Sequence, residues 1–271
     1  TVLDHMYRPH DAWDGFLKPD YTGYHHNGPW GNTYSTNAMG VAAQVSYLLR
    51  GTDYAVAQAS AEHIARGLRA YADYSGRFPN QLRNIPVDLP GFAFIYETLP
   101  AGELRTAIGE SFANLYDPAY SLVKSKLINN VACEILFTGG IGSLQLCNDL
   151  SGRTVAPDNI ELNRTFPFAA LQVHRRGDWM VAIKGCSKYV WDFETNSSEN
   201  WYGRNQSFGQ LAIYSGKDAA GVVTAEASGT GYSGYDWSHI PGVTAPALSI
   251  AEVLADAKAF EWPRFSNEAF A

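Results

Sequence analysis

The hydrophobic pattern changes its period once along this chain of 271 residues. Up to about residue 150, apolar residues recur at helical spacing in stretches that polar loops separate. From about residue 166, the apolar stretches become short and are bounded by turn residues. Helices followed by strands argue against alternating strand–helix–strand units. We therefore expect an α+β multidomain chain, with a helical domain in residues 1–150, a linker in residues 151–165 and an antiparallel β-sandwich beginning at residues 166–271.

The first half predicts an array of paired antiparallel helices, because the loops between its helical stretches are short. The predicted helices are residues 40–50, 54–74, 91–97 and 103–116. In the first helix, we expect one buried apolar face made of Val41, Val45, Leu48 and Leu49. In the second, the core side chains are expected to be Val56, Ile64, Leu68 and Tyr71.

The second half predicts short strands separated by turns. The predicted strands are residues 168–174, 179–184, 189–193, 210–214 and 247–250. Residues 175–178 (Arg-Arg-Gly-Asp) are expected to form a hairpin turn between the first two of these strands. Two longer polar stretches, residues 191–207 and 232–244, are expected to be loops of the sandwich.

Residues 20–34 concentrate side chains that carry chemistry in a stretch too rich in Gly, Pro and Asn for a helix or strand. His25 and His26 can exchange a proton near neutral pH. Tyr34 can do so if a neighbouring positive charge lowers its pKa, and Trp30 offers a face on which a sugar ring can stack. Each histidine taken alone is equally compatible with a solvated or capping role in a loop.

Composition excludes some classes of protein. The formal charge of -7 argues against nucleic-acid binding, so an anionic ligand must meet a local positive patch. No apolar run is long enough to span a membrane, and the start at Thr1, without a signal peptide, suggests a processed or truncated chain. Three cysteines without metal-site spacing allow at most one disulfide, and we expect buried free thiols instead.

Several short segments together resemble the chondroitin- and hyaluronan-type polysaccharide lyases. In the helical half, these are Asp-Gly-Phe at residues 14–16, the loop of residues 20–34, Tyr-Leu-Leu-Arg at residues 47–50, and Ser-Gly-Arg at residues 75–77. In the β half, they are residues 190–194 (Val-Trp-Asp-Phe-Glu), 200–207 (Asn-Trp-Tyr-Gly-Arg-Asn-Gln-Ser) and 235–244 (Tyr-Asp-Trp-Ser-His-Ile-Pro-Gly-Val-Thr). The segments occur in the family's order and span nearly the whole chain.

The resemblance implies a segment of an α/α toroid followed by an antiparallel β-sandwich, with the substrate cleft where they meet. It implies β-elimination of a uronic-acid-containing polysaccharide such as chondroitin sulfate, dermatan sulfate or hyaluronan, without a cofactor or metal. Members of the family are considerably longer than this chain. The resemblance therefore implies that the remaining N- and C-terminal portions of the same enzyme are partners of this segment, and that the enzyme is secreted or periplasmic.

The resemblance also assigns roles to residues. The catalytic residues it implies are His26, Tyr34, Arg77 and Glu194, with Glu194 orienting Arg77 or His26. His25 remains a competitor of His26, because the spacing to the tyrosine varies within the family. The candidate substrate-binding residues are His25, Trp30, Asn32, Arg83 and Arg204.

Two other functions remain open at this point. A metal-dependent hydrolase would use His25, His26, Asp14 and Asp20, although adjacent histidines lack the i, i+4 spacing of a helical zinc site. A carbohydrate-binding module without catalysis would use an aromatic platform of Trp30, Trp201 and Trp237. Sensitivity to a chelator would favour the hydrolase, and binding without turnover would favour the module.

Overall fold

The computed structural model describes residues 17–25, 28–29, 34–74, 89–116, 131–153, 161–177, 179–186, 190, 208–215, 217 and 235–259. The chain divides into two compact units. The first consists of Thr1–Tyr24 and Trp30–Asn159, and the second of His25–Pro29 and Ile160–Ala271. Within the described residues, no helix is both long and apolar enough to cross a membrane.

The first unit is helical. Before the first helix, the chain forms two-residue strands β1 (Tyr24–His25) and β2 (Gly28–Pro29), which pair with each other. Of these residues, His25–Pro29 belong to the second unit. The helices are α1 (Tyr34–Leu49), α2 (Gln58–Tyr74), α3 (Leu89–Thr98), α4 (Glu103–Leu115) and α5 (Val131–Ser151). Helix α3 contacts each of the other four, because seven of its ten residues are buried. This helix is therefore the centre of the first core.

Helix α1 buries a different face from the predicted one. Met39, Ala42 and Ala43 are buried, whereas Val41 is 59% and Leu48 64% exposed. The prediction that Val41 and Leu48 belong to the buried face was therefore wrong. Small residues, not the largest apolar ones, allow α1 to approach α2 and α3 closely. Helix α2 agrees with the predicted pattern at Ile64, Leu68 and Tyr71, which are buried. The fourth predicted core residue, Val56, precedes the helix and is only half-buried.

Helix α5 is absent from the sequence-based prediction. Its backbone breaks at Gly140, which has φ 74° and ψ −178°. The nearby glycines Gly139 and Gly142 also lower helix propensity, and this concealed the helical pattern. Cys147 in this helix is buried, as expected, whereas Cys186 is only half-buried.

The second unit contains a four-stranded antiparallel sheet in chain order. Its strands are β3 (Leu162–Phe166), β4 (Leu171–Arg176), β5 (Trp179–Lys184) and β6 (Gln210–Tyr214). Arg176 pairs with Trp179, which leaves a two-residue turn in which Gly177 has φ 49°. This confirms the predicted hairpin between β4 and β5. The register places Val173, Ala182 and Ala212 side by side on one face.

Two boundaries in this unit differ from prediction. Strand β3 begins at Leu162, inside the predicted linker. The prediction missed this start because residues 163–165 are polar, which an edge strand of a sheet tolerates. Residues 167–169 form a short 3-10 helix, so the first predicted strand starts only at Leu171. The predicted strand at residues 247–250 is wrong, because Ser249 instead precedes helix α6 (Ile250–Ala259).

The segment of residues 235–242 packs on the last strand of this sheet. The Leu211 amide donates to the Pro241 carbonyl at 2.9 Å, and the Gln210 side chain bonds the Tyr235 hydroxyl at 3.2 Å. Gly242 adopts φ 81°, and a Cβ there would lie 2.6 Å from the Gly209 carbonyl. Residues 235–242 are therefore held against β6 by backbone contact.

Candidate active site

The structure describes only part of the predicted site. Of the nine predicted site residues, the backbone of His25 and of Tyr34 lies within the described residues. The others fall outside them, and these are His26, Trp30, Asn32, Arg77, Arg83, Glu194 and Arg204. The structure therefore gives the backbone position of two site residues, and the roles of all nine side chains stay predictions.

The predicted loop is more ordered at both ends than its composition indicated. His25 ends strand β1, and strand β2 starts three positions later at Gly28. Because β1 and β2 pair, residues 24–29 form a small hairpin, which we call the histidine hairpin. The pairing of the two strands constrains the backbone at His25, the residue that ends β1.

Tyr34 is the first residue of helix α1, six positions before the predicted start of this helix at residue 40. Ser35 and Thr36, which follow it, are both buried. The amino end of a helix carries a partial positive charge, because its first backbone N–H groups have no partner within the helix. An anionic side chain in this first turn is stabilised by about 0.3–1 kcal/mol.

Residues 17–24, which we call the anchor turn, lead into the histidine hairpin. Leu17 and Gly23 form an antiparallel bridge, and the Lys18 amide donates to the Thr22 carbonyl at 2.9 Å. At the tip, an Asp20 carboxylate oxygen accepts from the Thr22 amide at 3.1 Å and from its hydroxyl at 2.6 Å. The turn is thus closed on itself before the chain reaches His25.

Lys18 and Tyr24 form a buried cation–aromatic pair at the base of this turn. Lys18 is only 1% exposed, and its Nζ lies 4.5 Å from the centroid of the Tyr24 ring. Burial, and after it the Asp20 charge, raises the pKa of Tyr24 well above that of a free tyrosine. Tyr24 is therefore a neutral hydroxyl and a poor proton acceptor. Sequence reasoning missed this pair, since nothing in the pattern marks Lys18 as buried.

The second motif, residues 235–244, contains no helix or strand, as expected for a loop. Trp237 is 5% exposed and packs edge-on against Tyr235, with ring centroids 4.8 Å apart. It is therefore not available as a surface for stacking sugars, which corrects its place in the proposed aromatic platform. The other two platform residues, Trp30 and Trp201, lie outside the described residues.

Asp236, Ser238 and His239 form an exposed cluster within this motif. The His239 Nδ1 lies 3.0 Å from an Asp236 oxygen and 2.9 Å from the Ser238 hydroxyl. Hydrogen bonds from Ser238 and then His239 lower the pKa of Asp236. A hydrolytic triad needs serine and aspartate on opposite nitrogens of the imidazole, so this cluster stabilises a turn instead.

The described residues contain no group of three His, Cys, Asp or Glu side chains that could hold a metal ion. Two ligands of the alternative hydrolase site, His26 and Asp14, lie outside the described residues. That metal site therefore stays a prediction, which sensitivity of the activity to a chelator would test.

Comparison with known protein families matches most of the chain to two domains. Residues 1–86 match the domain described as "Lyase, catalytic". Residues 161–271 match the domain described as "Polysaccharide lyase family 8, super-sandwich domain". The two matches follow the order in which the helical and the sheet units occur along the chain.

Individual relatives agree with these domains. The chain is 24% identical over 295 aligned residues to a chondroitin sulfate ABC exolyase of Bacteroides thetaiotaomicron, covering 99% of the chain and 28% of the relative. It is 25% identical over 255 aligned residues to a chondroitin sulfate ABC endolyase of Proteus vulgaris, covering 90% of the chain and 22% of the relative. The chain thus spans about a quarter of the length of these relatives.

Among solved structures, a chondroitin AC lyase of Streptomyces coelicolor, in complex with chondroitin sulphate, superposes with a TM-score of 0.67. The superposition covers 99% of this chain and 37% of that one, at 16% identity. At this identity the likeness concerns the fold alone, and it supports helices followed by an antiparallel sheet.

Proposed function

The chain belongs to the polysaccharide lyases, and from this premise we propose that it carries the catalytic segment of an enzyme that degrades glycosaminoglycans by β-elimination. One observation carries the proposal: a lyase catalytic domain and a family 8 super-sandwich domain match in order along the chain. Because the relatives are several times longer, we propose that the segment acts together with N- and C-terminal portions of the same enzyme.

The chemistry of elimination suits the predicted residue types. The proton removed lies next to a carboxylate, so its loss creates a dianionic intermediate that must be neutralised. We propose that Arg77 and His26, with His25 as the alternative, supply this neutralisation through positive charge and hydrogen bonding. Glu194 would orient one of these side chains without itself exchanging a proton.

In this proposal, Tyr34 takes the proton and then returns a proton to the leaving oxygen. Its place at the amino end of α1 supports the assignment, because the helix end stabilises a phenolate there. The raised pKa of Tyr24 keeps that tyrosine protonated, so it is not available as the base. This suits a substrate whose departing proton and leaving oxygen lie on one face of the sugar ring. Where they lie on opposite faces, His26 would be the base and Tyr34 the acid.

The preferred substrate is proposed to be chondroitin sulfate, since the two relatives are named for it. Dermatan sulfate and hyaluronan carry the same uronate chemistry and remain candidates. We propose that Trp30, Asn32, Arg83 and Arg204 contact the sugar chain. Such polymers are extracellular, so we also propose that the enzyme is secreted or periplasmic.

The finer architecture is likewise a proposal. We propose that helices α1–α5 are part of an α/α toroid completed by other portions of the enzyme, and that the four-stranded sheet is one layer of a β-sandwich. The exposed apolar side chains Val41 and Leu48 on α1 support this, because a further helix would cover them.

The test is the ultraviolet absorbance of an unsaturated uronate, recorded with chondroitin sulfate, dermatan sulfate or hyaluronan in the presence of EDTA. With the N- and C-terminal portions of the enzyme present, we expect absorbance to rise for the wild-type chain. In Tyr34→Phe, we expect the rate of this rise to be at least about a hundredfold lower, as for loss of an acid–base group. The matched control is Tyr54→Phe, because Tyr54 is 81% exposed and outside the site.

Three results would contradict the proposal in different ways. Cleavage of the polymer without unsaturated product, measured as new reducing ends and abolished by EDTA, would favour the metal-dependent hydrolase. A flat trace with binding of chondroitin sulfate in calorimetry would favour the carbohydrate-binding module. Full activity in Tyr34→Phe would retain the lyase but remove Tyr34 from its acid–base role.

A further inference from the structure

Tyr21 has an unfavourable backbone conformation at the tip of the anchor turn. Its φ is 66°, in the left-handed region, where a Cβ crowds the following carbonyl oxygen. Among the described residues, the other non-glycine residue with positive φ is Ala170, which ends the short 3-10 helix of residues 167–169. Glycine would occupy position 21 without strain. Strain retained at a bulky aromatic residue points to a use for its side chain.

Helix α2 contacts the Tyr21 ring through two side chains, His63 and Arg66. The His63 ring stacks on it, with centroids 6.1 Å apart and planes inclined by 27°. The guanidinium carbon of Arg66 lies 5.9 Å from the centroid of the Tyr21 ring. We call these three side chains the Tyr21 platform. Tyr21 is only half-buried, so part of its ring is open to solvent.

Arg66 has its charge available for a ligand. It is exposed, and within the part of the chain that the structure describes it forms no ion pair. Its helical neighbour at i−4 is Glu62, whose carboxylate accepts from the Gln58 side-chain amide at 2.8 Å. A guanidinium stacked on an aromatic ring presents its planar N–H groups at its edge, where they bind the oxygens of an anion.

We propose that the Tyr21 platform is a binding subsite for an anionic sugar of the polysaccharide. Arg66 binds a sulfate or carboxylate group, and the open part of the Tyr21 ring contacts the sugar. An aromatic surface beside a few placed polar groups is typical of ligand sites. A chain with a formal charge of -7 also needs local cations to hold a polyanion.

This inference rests on the proposed function for the identity of the polymer, but it gives the platform no part in the elimination itself. None of the three residues is among the predicted site residues. The platform therefore adds affinity for substrate and transition state alike, which affects KM and leaves kcat unchanged.

The first test is calorimetric titration with chondroitin sulfate hexasaccharides. It uses Tyr34→Phe to slow turnover, with the N- and C-terminal portions of the enzyme present. We expect the added change Arg66→Gln to weaken binding about five- to tenfold, because a charge-assisted hydrogen bond is lost. In an enzyme with Tyr34 intact, Arg66→Gln should raise KM by a similar factor and change kcat less than about twofold.

The matched control is Arg50→Gln. Arg50 is also exposed, and its guanidinium carbon lies 3.5 Å from the centroid of the Tyr47 ring. Its guanidinium already donates to the Tyr47 carbonyl oxygen, so it is engaged within its own helix end. We expect Arg50→Gln to weaken binding less than about twofold. Equal losses in the two arginine variants would overturn the proposal, because the effect would then be one of overall charge.

Hyaluronan hexasaccharides distinguish the two anionic groups, because hyaluronan carries carboxylates but no sulfate. If Arg66→Gln weakens the binding of both oligosaccharides, the platform binds the carboxylate. If the loss is confined to chondroitin sulfate, the platform binds the sulfate. Unchanged affinity for both would overturn the proposal.

Tyr21→Gly separates binding from stability. Because glycine adopts positive φ without a steric cost, we expect the urea midpoint to be no lower than in wild type. The affinity for chondroitin sulfate hexasaccharides should nevertheless fall about fivefold. A lower midpoint with unchanged affinity would overturn the proposal, since the ring would then serve only to stabilise the turn.

The platform and the proposed function fail in different ways. If no unsaturated uronate forms but the affinities change as expected, elimination is excluded and the platform stands as a sugar-binding site. If elimination occurs and Arg66→Gln matches wild type in both affinity and KM, the lyase stands and the platform is overturned.

Discussion

Two glycines show how single residues hold the second unit together. Gly177 and Gly242 both have positive φ, at 49° and 81°, but their surroundings differ. A Cβ at Gly177 would meet nothing within 4 Å. At Gly242, it would meet the Gly209 carbonyl and the Leu211 backbone nitrogen, at 2.6 and 3.1 Å. Backbone cannot move away as a flexible side chain can, so the second site is the stricter one.

We therefore expect Gly242→Ala to lower the free energy of unfolding by about 2–4 kcal/mol, which combines the cost of positive φ with a backbone clash. The control Gly177→Ala should lower it by only about 1–2 kcal/mol, from positive φ alone. Urea unfolding followed by tryptophan fluorescence measures both. Equal losses in the two variants would show that residues 235–242 do not depend on close contact with β6.

At the scale of elements, the sequence predicts the interior of each element better than its ends. The buried face of α2 follows from a regular apolar period. The start of α1 at Tyr34 does not, because the first turn contains Ser and Thr, whose burial depends on tertiary contacts. Strand β3 was missed for a related reason, since an edge strand tolerates polar residues.

The predicted site follows the same rule. The sequence marked the histidines and Tyr34 through their residue types and the family resemblance. It gave no sign of Lys18, because the burial of a lysine depends on what packs around it. Burial of this kind depends on contacts distant in sequence, which periodicity does not report.

Helix α1 allows a direct test of which face is buried. We expect Met39→Ala to lower the free energy of unfolding by about 2–5 kcal/mol, because Met39 is fully buried. Leu48→Ala should change it by less than about 0.5 kcal/mol, because Leu48 is 64% exposed. Urea unfolding of each variant of this chain distinguishes them. The opposite order would restore the face predicted from sequence.

Helix α6 begins with a reciprocal cap. Glu252 accepts from the Ser249 amide at 2.8 Å and from its hydroxyl at 2.7 Å, and the Ser249 hydroxyl accepts from the Glu252 amide at 3.3 Å. These hydrogen bonds from Ser249 lower the pKa of Glu252 below its ordinary 4.5. Because the pKa is lowered in the folded state, the cap contributes its stability above pH 4.5. This contribution is lost as the pH falls through the pKa of the folded state.

We accordingly expect amide chemical shifts of residues 249–252 to show fraying of α6 as the pH falls below 4.5. Glu252→Gln keeps an acceptor but removes the titrating group, so these amides should then show no such transition. Asp256→Asn, a change in the same helix outside the cap, should leave the transition in place. A transition that persists unchanged in Glu252→Gln would rule out this cap as its source.

At the scale of the whole molecule, the formal charge of the chain has the same sign as the charge of the proposed substrate. The chain has a formal charge of -7, whereas glycosaminoglycans are polyanions. Repulsion acts over long distances and is screened once the Debye length falls to about 10 Å, near 0.1 M salt. Contacts between buried cations and a bound carboxylate act at short range and are screened less.

We therefore expect kcat/KM on chondroitin sulfate to rise about two- to fivefold as salt increases from about 10 mM to about 100 mM, through faster encounter. It should fall again at higher salt, when direct ion pairs weaken. Neutralising two exposed carboxylates that are not predicted site residues, in Glu103→Gln with Glu161→Gln, brings the formal charge from -7 to -5 and should make the rise smaller. Initial rates across a salt series measure the effect. A steady fall from the lowest salt upward would mean that local cations such as Arg77 dominate the encounter, and that the overall charge of the molecule has no influence on how the polymer approaches.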